Sequence, residues 1–524
     1  MSKEVQLTNI LIVGSGVVGG LIAEKLLEKK IGPIIMLDAG PDLKMRDRRI
    51  WLDAIMTGKM PYNNLTDTKN DYEATGNPPW EIEGGRLFVR GGSTLHWGGW
   101  CPRMKPEDFE LKSRIGKGGL DWPFSYDDLQ PYYEQAERYL QVAGDSTDQD
   151  PPRQNPYPFE AAPYTMTDGM VIKALDQLGI SYGHIPTARN AKPINGMPQC
   201  VTMGSCGYCP IGARFTGDQP LDRLQAPKWG MFQLYLNSPV TKILTNGKNK
   251  VVGVEYQDTK SGELKVIEAE TVILCAGALE IPKLLLASAN EYWPQGIGND
   301  FDQVGRYLVA NPYFFSRAQK AKNPNKCQEE LYFKTLGSRH WDTPQYQRQG
   351  KFLLNKGDTP KLDLANQMNQ KYPFEKVEAA STGTQIFEFQ GTMQTFSAFE
   401  NRVMLASGYT RFGLARTRFD TPVPAYSQEQ AQIYLDNMKV IMETMGYTPI
   451  KGGEGVYRQR GDHAMCTCRM SSQPTEGVVD PKFNVHGMDN LYIVSNAVFP
   501  SGAAANPTLT LVALAFRFVE SFIA

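Results

Sequence analysis

A strand, a glycine-rich turn, a helix and a second strand follow one another at the start of this sequence. The apolar run Asn9–Val13 leads into Gly14-Ser-Gly16-Val-Val-Gly19, and a second apolar run ends at Asp38. In a βαβ unit of this kind the glycines let the backbone approach a pyrophosphate, the helix N-terminus stabilises its charge, and the acid accepts hydrogen bonds from the adenosine ribose. The pattern predicts an ADP-binding unit; a glycine turn without a ligand is the alternative.

The size and charge of the chain set broad limits. With 524 residues it exceeds one ordinary core, which predicts two domains or one large α/β domain with an insertion. The formal net charge is −1 and the Lys and Arg residues are scattered, so no nucleic-acid partner is expected. No segment is expected to span a membrane. Without a recognisable signal sequence the chain is predicted to be cytoplasmic, or periplasmic if a partner subunit carries an export signal for both.

A second strand–turn–helix unit and an inserted region follow along the chain. The segment Thr271–Ser288 has the pattern of a buried strand, a Gly turn and a helix. From about residue 311 to residue 438 aromatic, Gln and Asn residues are frequent and the periodicity is weak. We expect this region to be an inserted, substrate-facing domain of antiparallel strands, with a lid-like loop around Gly337–Thr382.

Two polar residues near the C-terminal end of the sequence have the chemistry of an acid/base site. His463 lies in the short polar loop of GDHAMCTCRM, and Asn506 precedes Pro507 at the start of an apolar helix. A His side chain titrates near neutral pH and can take the proton of an alcohol, while an amide can hold the oxygen in line. The alternatives are a structural loop His and an Asn that only caps the helix.

Three cysteines, Cys200, Cys206 and Cys209, fall within ten residues, and Pro210 follows the last of them. In a chain without a secretion signal, a disulfide framework is the weaker interpretation. The run resembles the ligands of an iron–sulfur cluster. A zinc site, which would need a fourth ligand, and a Cys206–Cys209 disulfide are the alternatives.

These motifs, in this order, resemble the glucose–methanol–choline family of flavin oxidoreductases. The resemblance covers nearly the whole chain and rests on GSGVVGG with Asp38, GGSTLHWGG, ETVILCAGALEIPKLLLAS, VGRYLVANP, ENRVMLAS and the C-terminal His–Asn segment. Within the family the chain is most similar to bacterial sugar dehydrogenases and pyranose oxidases. The segments GGSTLHWGG and NAVFPSGAAANPTLT carry that closer likeness.

The resemblance implies an α/β (α+β) fold with a discontinuous, Rossmann-like FAD-binding domain and a PHBH-like antiparallel-sheet substrate domain. We expect residues 1–310 and 439–524 to form the FAD-binding domain and residues 311–438 the substrate domain. The resemblance also implies hydride transfer from the carbon that carries the substrate hydroxyl to flavin N5. In that reaction His463 would be the base and Asn506 its partner.

The family pattern extends the expected cofactor site beyond the first glycine turn. The Gly92–His96 loop and the Asn506–Thr508 corner would meet the flavin ring, and Val240 would meet the adenine through its backbone. His96 stands beside a Trp, as in pyranose oxidases, where such a His bonds covalently to the flavin; a noncovalent contact is the alternative. The expected FAD contacts are Gly14, Gly16, Gly19, Asp38, Gly92, Ser93, His96, Val240, Ala276, Asn506 and Thr508.

Two positions depart from the family pattern. Cys466 stands shortly after His463 where the family commonly has Gly. Ser495-Asn496 stands where many members place an acid near the flavin pyrophosphate. A hydroxyl and an amide can donate hydrogen bonds there without adding negative charge.

The predicted function is oxidation of a pyranose hydroxyl in a sugar or glycoside to a ketone or lactone. Some bacterial FAD sugar dehydrogenases carry a 3Fe-4S cluster on a similar Cys run. Such a cluster on Cys200, Cys206 and Cys209 would pass electrons to a protein acceptor such as a cytochrome, and a small partner subunit is a further expectation. The alternatives are a pyranose or glycoside oxidase that forms hydrogen peroxide and a non-redox lyase that keeps FAD.

Overall fold

The computed structural model describes residues 5–57, 59–76, 80–201, 207–321, 335–356, 384–457 and 461–524. Within these residues the chain forms α-helices and β-strands joined by loops and 3₁₀ turns. The α-helices are α1 (Val17–Glu28), α2 (Arg48–Thr57), α3 (Leu111–Ile115), α4 (Tyr126–Tyr139), α5 (Met166–Leu178), α6 (Asp218–Leu224), α7 (Glu280–Ala287), α8 (Gln428–Thr444) and α9 (Thr508–Ile523).

The strands belong to two larger and two smaller sheets. They are β1 (Val5–Val13), β2 (Ile34–Leu37), β3 (Tyr72–Gly76), β4 (Ala143–Gly144), β5 (Phe159–Glu160), β6 (Gly183–His184), β7 (Phe232–Tyr235), β8 (Val240–Thr245), β9 (Val251–Gln257), β10 (Leu264–Leu274), β11 (Tyr313–Ala321), β12 (Leu336–Ser338), β13 (Phe352–Lys356), β14 (Thr384–Met393), β15 (Arg402–Tyr409), β16 (Ala415–Thr421), β17 (Thr448–Tyr457) and β18 (Leu491–Ile493).

A seven-stranded sheet has the order β7-β2-β1-β10-β9-β8, and β18 also pairs with β10. The strands β7, β2, β1, β10 and β18 are parallel, whereas β9 is antiparallel to both β10 and β8. The central parallel strands read as continuous apolar runs because they are covered on both faces: Ile10–Val13, Ile34–Leu37 and Val272–Leu274 are all buried. Helix α9 packs against α1 and α4 beside this sheet. The predicted Rossmann-like part of the fold is confirmed.

A six-stranded antiparallel sheet has the order β17-β11-β14-β13-β12-β6. One face forms a separate core with α5 and α8, into which Phe314, Phe387 and Phe389 are packed. This sheet confirms the predicted antiparallel partner of the nucleotide-binding fold. It takes strands from both sides of residue 438, since β17 follows that position. The domain limits at residues 310 and 438 therefore remain predictions.

The segment from residue 337 to residue 356 is not the lid-like loop expected from the sequence. It contains the last residues of β12, a 3₁₀ turn at Pro344–Gln349 and all of β13, so it belongs to the six-stranded sheet. Short strands separated by a turn leave too few residues for a clear period of two. Residues 357–382 of the expected lid lie outside the described residues. No helix in the described part of the chain has the length and apolarity needed to cross a membrane.

Candidate active site

One cavity of about 930 Å³ lies between the seven-stranded sheet and the six-stranded sheet. Its walls include the turn after β1, the ends of β2 and β10, the start of α9 and side chains of β11 and β14. Gly19 does not line it. The sequence-predicted residues that do are Gly14, Gly16, Asp38, Gly92, Ser93, His96, Val240, Ala276, His463, Asn506 and Thr508.

The glycines of the first turn have two different tasks. Gly14 has a φ of 106°, and a Cβ atom there would lie 2.8 Å from the carbonyl oxygen of Cys275. A Cβ atom at Gly19 would lie 2.1 Å from the carbonyl oxygen of Gly14, so Gly19 lets α1 pack closely on the turn. Gly16 is different, because a Cβ atom there would meet no described protein atom within 4 Å and the residue lines the cavity.

The start of α1 offers backbone donors to a ligand. Gly16 is its N-cap residue and has no side chain that could cap the helix. The first N–H groups of a helix have no partner within the helix, and the helix dipole favours an anion at this end. Together with the open space beside Gly16, this arrangement fits a pyrophosphate.

Asp38 connects the ends of β1 and β2. Its Oδ2 accepts hydrogen bonds from the backbone N–H of Ser15 at 2.8 Å and from the Ser15 hydroxyl at 2.7 Å. Its Oδ1 accepts from the N–H of Gly40 at 2.8 Å. Burial raises the pKa of Asp38, and these three bonds oppose the shift. The carboxylate thus holds the glycine turn in place, in addition to the contact with the adenosine ribose expected from the sequence.

The turn of residues 92–96 lies against the first glycine turn. Gly91 forms a parallel bridge with Gly16. Arg214 stabilises the turn, because its guanidinium donates hydrogen bonds to the backbone carbonyls of Leu95 and Trp97. Gly92, Ser93 and His96 consequently face the same cavity as the start of α1. A covalent bond between His96 and a flavin stays a prediction.

His463 and Asn506 meet in this cavity although 43 positions separate them in the sequence. His463 ends a 3₁₀ turn, and Asn506 directly precedes Pro507. The Nδ2 atom of Asn506 lies 3.4 Å from the Nε2 atom of His463. The Oδ1 atom of Asn506 accepts no hydrogen bond from the first turn of α9, so this side chain does not cap that helix. The buried Oδ1 of Asn506 has no hydrogen-bond partner among the described residues and can accept one from a ligand.

The two departures from the family pattern lie side by side. The N–H of Cys466 donates to the carbonyl of Asn496 at 3.1 Å. Cys466 is buried and does not line the cavity, and burial raises the pKa of its thiol to about 12, so the thiol stays protonated at neutral pH. Asn496 does line the cavity, and its Oδ1 lacks a partner among the described residues. An uncharged acceptor therefore stands where an acid is common.

The cavity has the features that an FAD molecule requires. Its volume is at the upper end of the range for cofactor sites. The start of α1 offers donors for a pyrophosphate, and the amide oxygen of Asn496 offers an acceptor for a hydroxyl group of a bound molecule. A Cβ atom at Gly277, which also lines the cavity, would meet no described atom within 4 Å. The residues present thus fit the cofactor expected from the sequence.

The cysteine cluster is only partly described. Cys200 and Cys209 are free thiols, whereas Cys206 lies outside the described residues. Within the described ranges no group of three or more His, Cys, Asp or Glu side chains could hold a metal ion. The iron–sulfur, zinc and disulfide interpretations of these three cysteines therefore remain predictions.

Among the cavity-lining polar residues that were not predicted from the sequence, five lie on or next to the six-stranded sheet: Asn311, Tyr313, Arg317, Glu388 and Gln390. Asn311 lies two residues before β11, Tyr313 and Arg317 lie on β11, and Glu388 and Gln390 lie on the paired strand β14. In β11 the residues after Tyr313 alternate between the face towards the cavity and the face towards the core. This alternation is the signal in the sequence that could have revealed the cavity-facing residues.

Comparison with known proteins decides the family. Sequence profiles described as GMC oxidoreductase match residues 88–312 and residues 400–515. The chain belongs to the GMC oxidoreductase family. It is therefore an oxidoreductase that acts on CH–OH groups, as the sequence predicted.

Individual relatives can be named, and one solved structure has a similar fold. The chain is 28% identical to the fructose dehydrogenase large subunit of Gluconobacter japonicus over 100% of this chain and 99% of that protein. It is 25% identical to 6'''-hydroxyparomomycin C oxidase of Streptomyces lividus over 97% of this chain and 90% of that protein. The structure resembles a variant of formate oxidase from Aspergillus oryzae RIB40 that was studied for FAD modification, with a TM-score of 0.68, 15% identity and coverage of 99% and 98%.

Proposed function

We propose that this GMC oxidoreductase uses FAD to oxidise a hydroxyl group of a sugar or glycoside to a keto sugar or lactone. The observation that carries the proposal is the 3.4 Å approach of Asn506 Nδ2 to His463 Nε2 in the cavity that also contains the start of α1. Relatives named for fructose and for an aminoglycoside support the choice of a carbohydrate substrate.

In this proposal the ADP half of FAD is bound at the first glycine turn. Gly16 and the start of α1 take the pyrophosphate, Asp38 keeps the turn in place, and Val240 lies beside the adenine. Ala276, Thr508 and the turn of residues 92–96 lie along the rest of the cofactor. When bound, FAD supplies the hydride acceptor.

The polar pair handles the proton of the substrate. His463 takes the hydroxyl proton at Nε2, which requires the neutral imidazole with that nitrogen unprotonated. Asn506 donates from Nδ2 to the substrate oxygen and stabilises the negative charge that develops on it. Because both nitrogens can reach one oxygen, the substrate is also held in a fixed direction.

The test is an anaerobic titration of the purified flavoprotein with a panel of sugars, followed by the visible absorbance of the oxidised flavin. We expect at least one pyranose to bleach the flavin. Absence of bleaching with every alcohol on the panel would contradict both the dehydrogenase and the oxidase, and would favour the lyase.

The electron acceptor is proposed to be a protein, such as a cytochrome, or a dye in its place. Rapid recovery of the flavin absorbance in air with formation of hydrogen peroxide would instead indicate an oxidase. A relative named as a large subunit supports a search for a partner subunit. The 3Fe-4S cluster on Cys200, Cys206 and Cys209 is a separate proposal, and iron-free protein with full activity would contradict its role.

A further inference from the structure

Four of the cavity-lining residues that the sequence did not reveal form one hydrogen-bonded chain. Arg317 Nε donates to Glu388 Oε2 at 2.6 Å, and the two residues face each other across β11 and β14. Gln390 Nε2 donates to Glu388 Oε1. The hydroxyl of Tyr313 donates to Gln390 Oε1. The hydrogen bonds therefore connect Arg317, Glu388, Gln390 and Tyr313 in that order.

These hydrogen bonds determine which side-chain atoms are left for a ligand to contact. The carboxylate of Glu388 can only accept, so the amide of Gln390 must turn its nitrogen towards Glu388 and its oxygen towards Tyr313. A carbonyl oxygen has two acceptor positions, and Tyr313 uses one of those on Gln390. The second position on Gln390 Oε1 remains for a donor from the cavity.

Asn311 adds a second acceptor whose direction is also fixed. Its Nδ2 donates to the carbonyl of Met393 at 2.9 Å and to the carbonyl of Ala503 at 2.5 Å. Rotating the amide by half a turn would place its oxygen against these two carbonyl oxygens, so the observed orientation is the stable one. The side chain is 2% exposed, and its Oδ1 has no partner among the described residues. A buried acceptor without a donor is costly unless a ligand supplies one.

We propose that Asn311, Tyr313, Arg317, Glu388 and Gln390, here called the hydroxyl wall, select the substrate by binding hydroxyl groups other than the one that reacts. The proposal rests on the proposed function and narrows its substrate to an uncharged molecule with several hydroxyl groups. Its fixed acceptors, Asn311 Oδ1 and Gln390 Oε1, suit a donor-rich ligand. A simple alcohol would leave them unpaired.

The charge of the wall favours a neutral polyol over an amino sugar. Glu388 is 5% exposed and is ion-paired with Arg317, so the pair has no net charge. An ammonium group would have to compete with this guanidinium for the same carboxylate. Hydroxyl groups need no such exchange, because they donate to the amide oxygens.

The test compares Gln390→Met with Gln319→Met, the same change on the exposed end of β11 and outside the cavity. The probes are D-glucose, D-fructose and methyl α-D-glucopyranoside, the monodeoxy derivatives of the sugar that reduces the wild-type flavin fastest, and 2-propanol. Asn311→Ala is the second wall variant. The readouts are kcat/KM and the dissociation constant of the sugar from the anaerobically reduced enzyme, measured by calorimetry.

We expect each wall variant to lose ~10–100-fold in kcat/KM and in affinity for the full sugar, which is the scale of one buried hydrogen bond. Gln319→Met should be unchanged. For one monodeoxy sugar the wild type should already be slow, and the wall variant should lose nothing more, because the hydroxyl that it would have bound is missing. The rate with 2-propanol should not change.

Three outcomes would overturn the proposal. The first is an equal loss for the full sugar, every deoxy sugar and 2-propanol, which would indicate structural damage. The second is unchanged affinity of a folded Gln390→Met protein, and the third is a wild-type preference for D-glucosamine over D-glucose. If no sugar reduces the wild-type flavin while calorimetry still shows binding that depends on Gln390, the proposed function fails and the wall remains a polyol site.

Discussion

The amide nitrogen of Asn506 and the Nε2 atom of His463 lie 3.4 Å apart, with Asn506 two residues before α9 and His463 at the end of a 3₁₀ turn. Two polar atoms at this separation can contact the same substrate oxygen, one as acceptor of its proton and one as donor. In the proposed mechanism this arrangement joins a base, His463, and a charge-stabilising group, Asn506, at one substrate oxygen.

Replacing His463 by Ala is expected to slow flavin reduction by roughly 10²–10⁴-fold, the usual effect of losing a general base. Anaerobic stopped-flow absorbance with the best sugar measures that rate. His340→Ala is the matched control, since His340 does not line the cavity. An unchanged rate in the His463 variant would show that another group takes the proton.

Gly16→Ala is expected to yield a folded protein with much less bound flavin. The added methyl group meets no described protein atom within 4 Å, so the fold tolerates it, but it enters the space where we place the pyrophosphate. The ratio of flavin to protein absorbance and the far-UV circular dichroism spectrum report the two effects separately. Gly169→Ala, where a Cβ atom likewise has open space but no cavity contact, should keep its flavin.

Asp38→Asn is expected to destabilise the fold as well as weaken flavin binding. An amide would bring its own N–H groups towards donors from Ser15 and Gly40, which now bond to the carboxylate. The loss is about 1–3 kcal/mol in the free energy of unfolding, and urea denaturation of the flavin-free protein measures it. The exposed Asp300→Asn is the control. Equal stability of the two variants would mean that Asp38 does not hold the turn.

The stability of the protein should depend on pH through His486. Burial lowers the pKa of His486 below its ordinary value of 6.5, while its Nε2 contacts the carbonyl of Ser471 at 3.1 Å. A lowered pKa means that the folded state binds fewer protons than the unfolded state, so the contribution is complete above pH 6.5 and is lost as the pH falls through the folded pKa. Urea unfolding between pH 5 and 7.5 should show that the free energy of unfolding falls less at acid pH in His486→Gln than in the wild type. Parallel pH curves for the variant and the wild type would contradict this.

The nucleotide-binding unit could be predicted because its signals are local. Gly14, Gly16 and Asp38 stand at fixed positions between two apolar strands, and the same positions line the cavity. Gly19 shows the limit of such a pattern, since the motif names it as a cofactor contact but the structure places it in the packing of α1 on the turn.

The hydroxyl wall could not be predicted in the same way. Its members become neighbours only through the register that pairs Arg317 with Glu388, which depends on how the whole six-stranded sheet is assembled. Polar residues of a strand at a cavity also interrupt the apolar alternation by which strands are recognised. Asn311 was part of a motif that supported the family resemblance, yet its unpaired oxygen is visible only in three dimensions.

The packing of α9 against α1 has a consequence for how the protein matures in the cell. During synthesis Gly16 leaves the ribosome long before Asn506. The nascent chain therefore contains the first glycine turn before the residues on the other side of the cavity have been made. The cavity can therefore be complete only after the segment that begins near residue 461 has been translated and has docked. Until then α1 lacks the packing that α9 supplies, so a segment made late in translation completes the cavity.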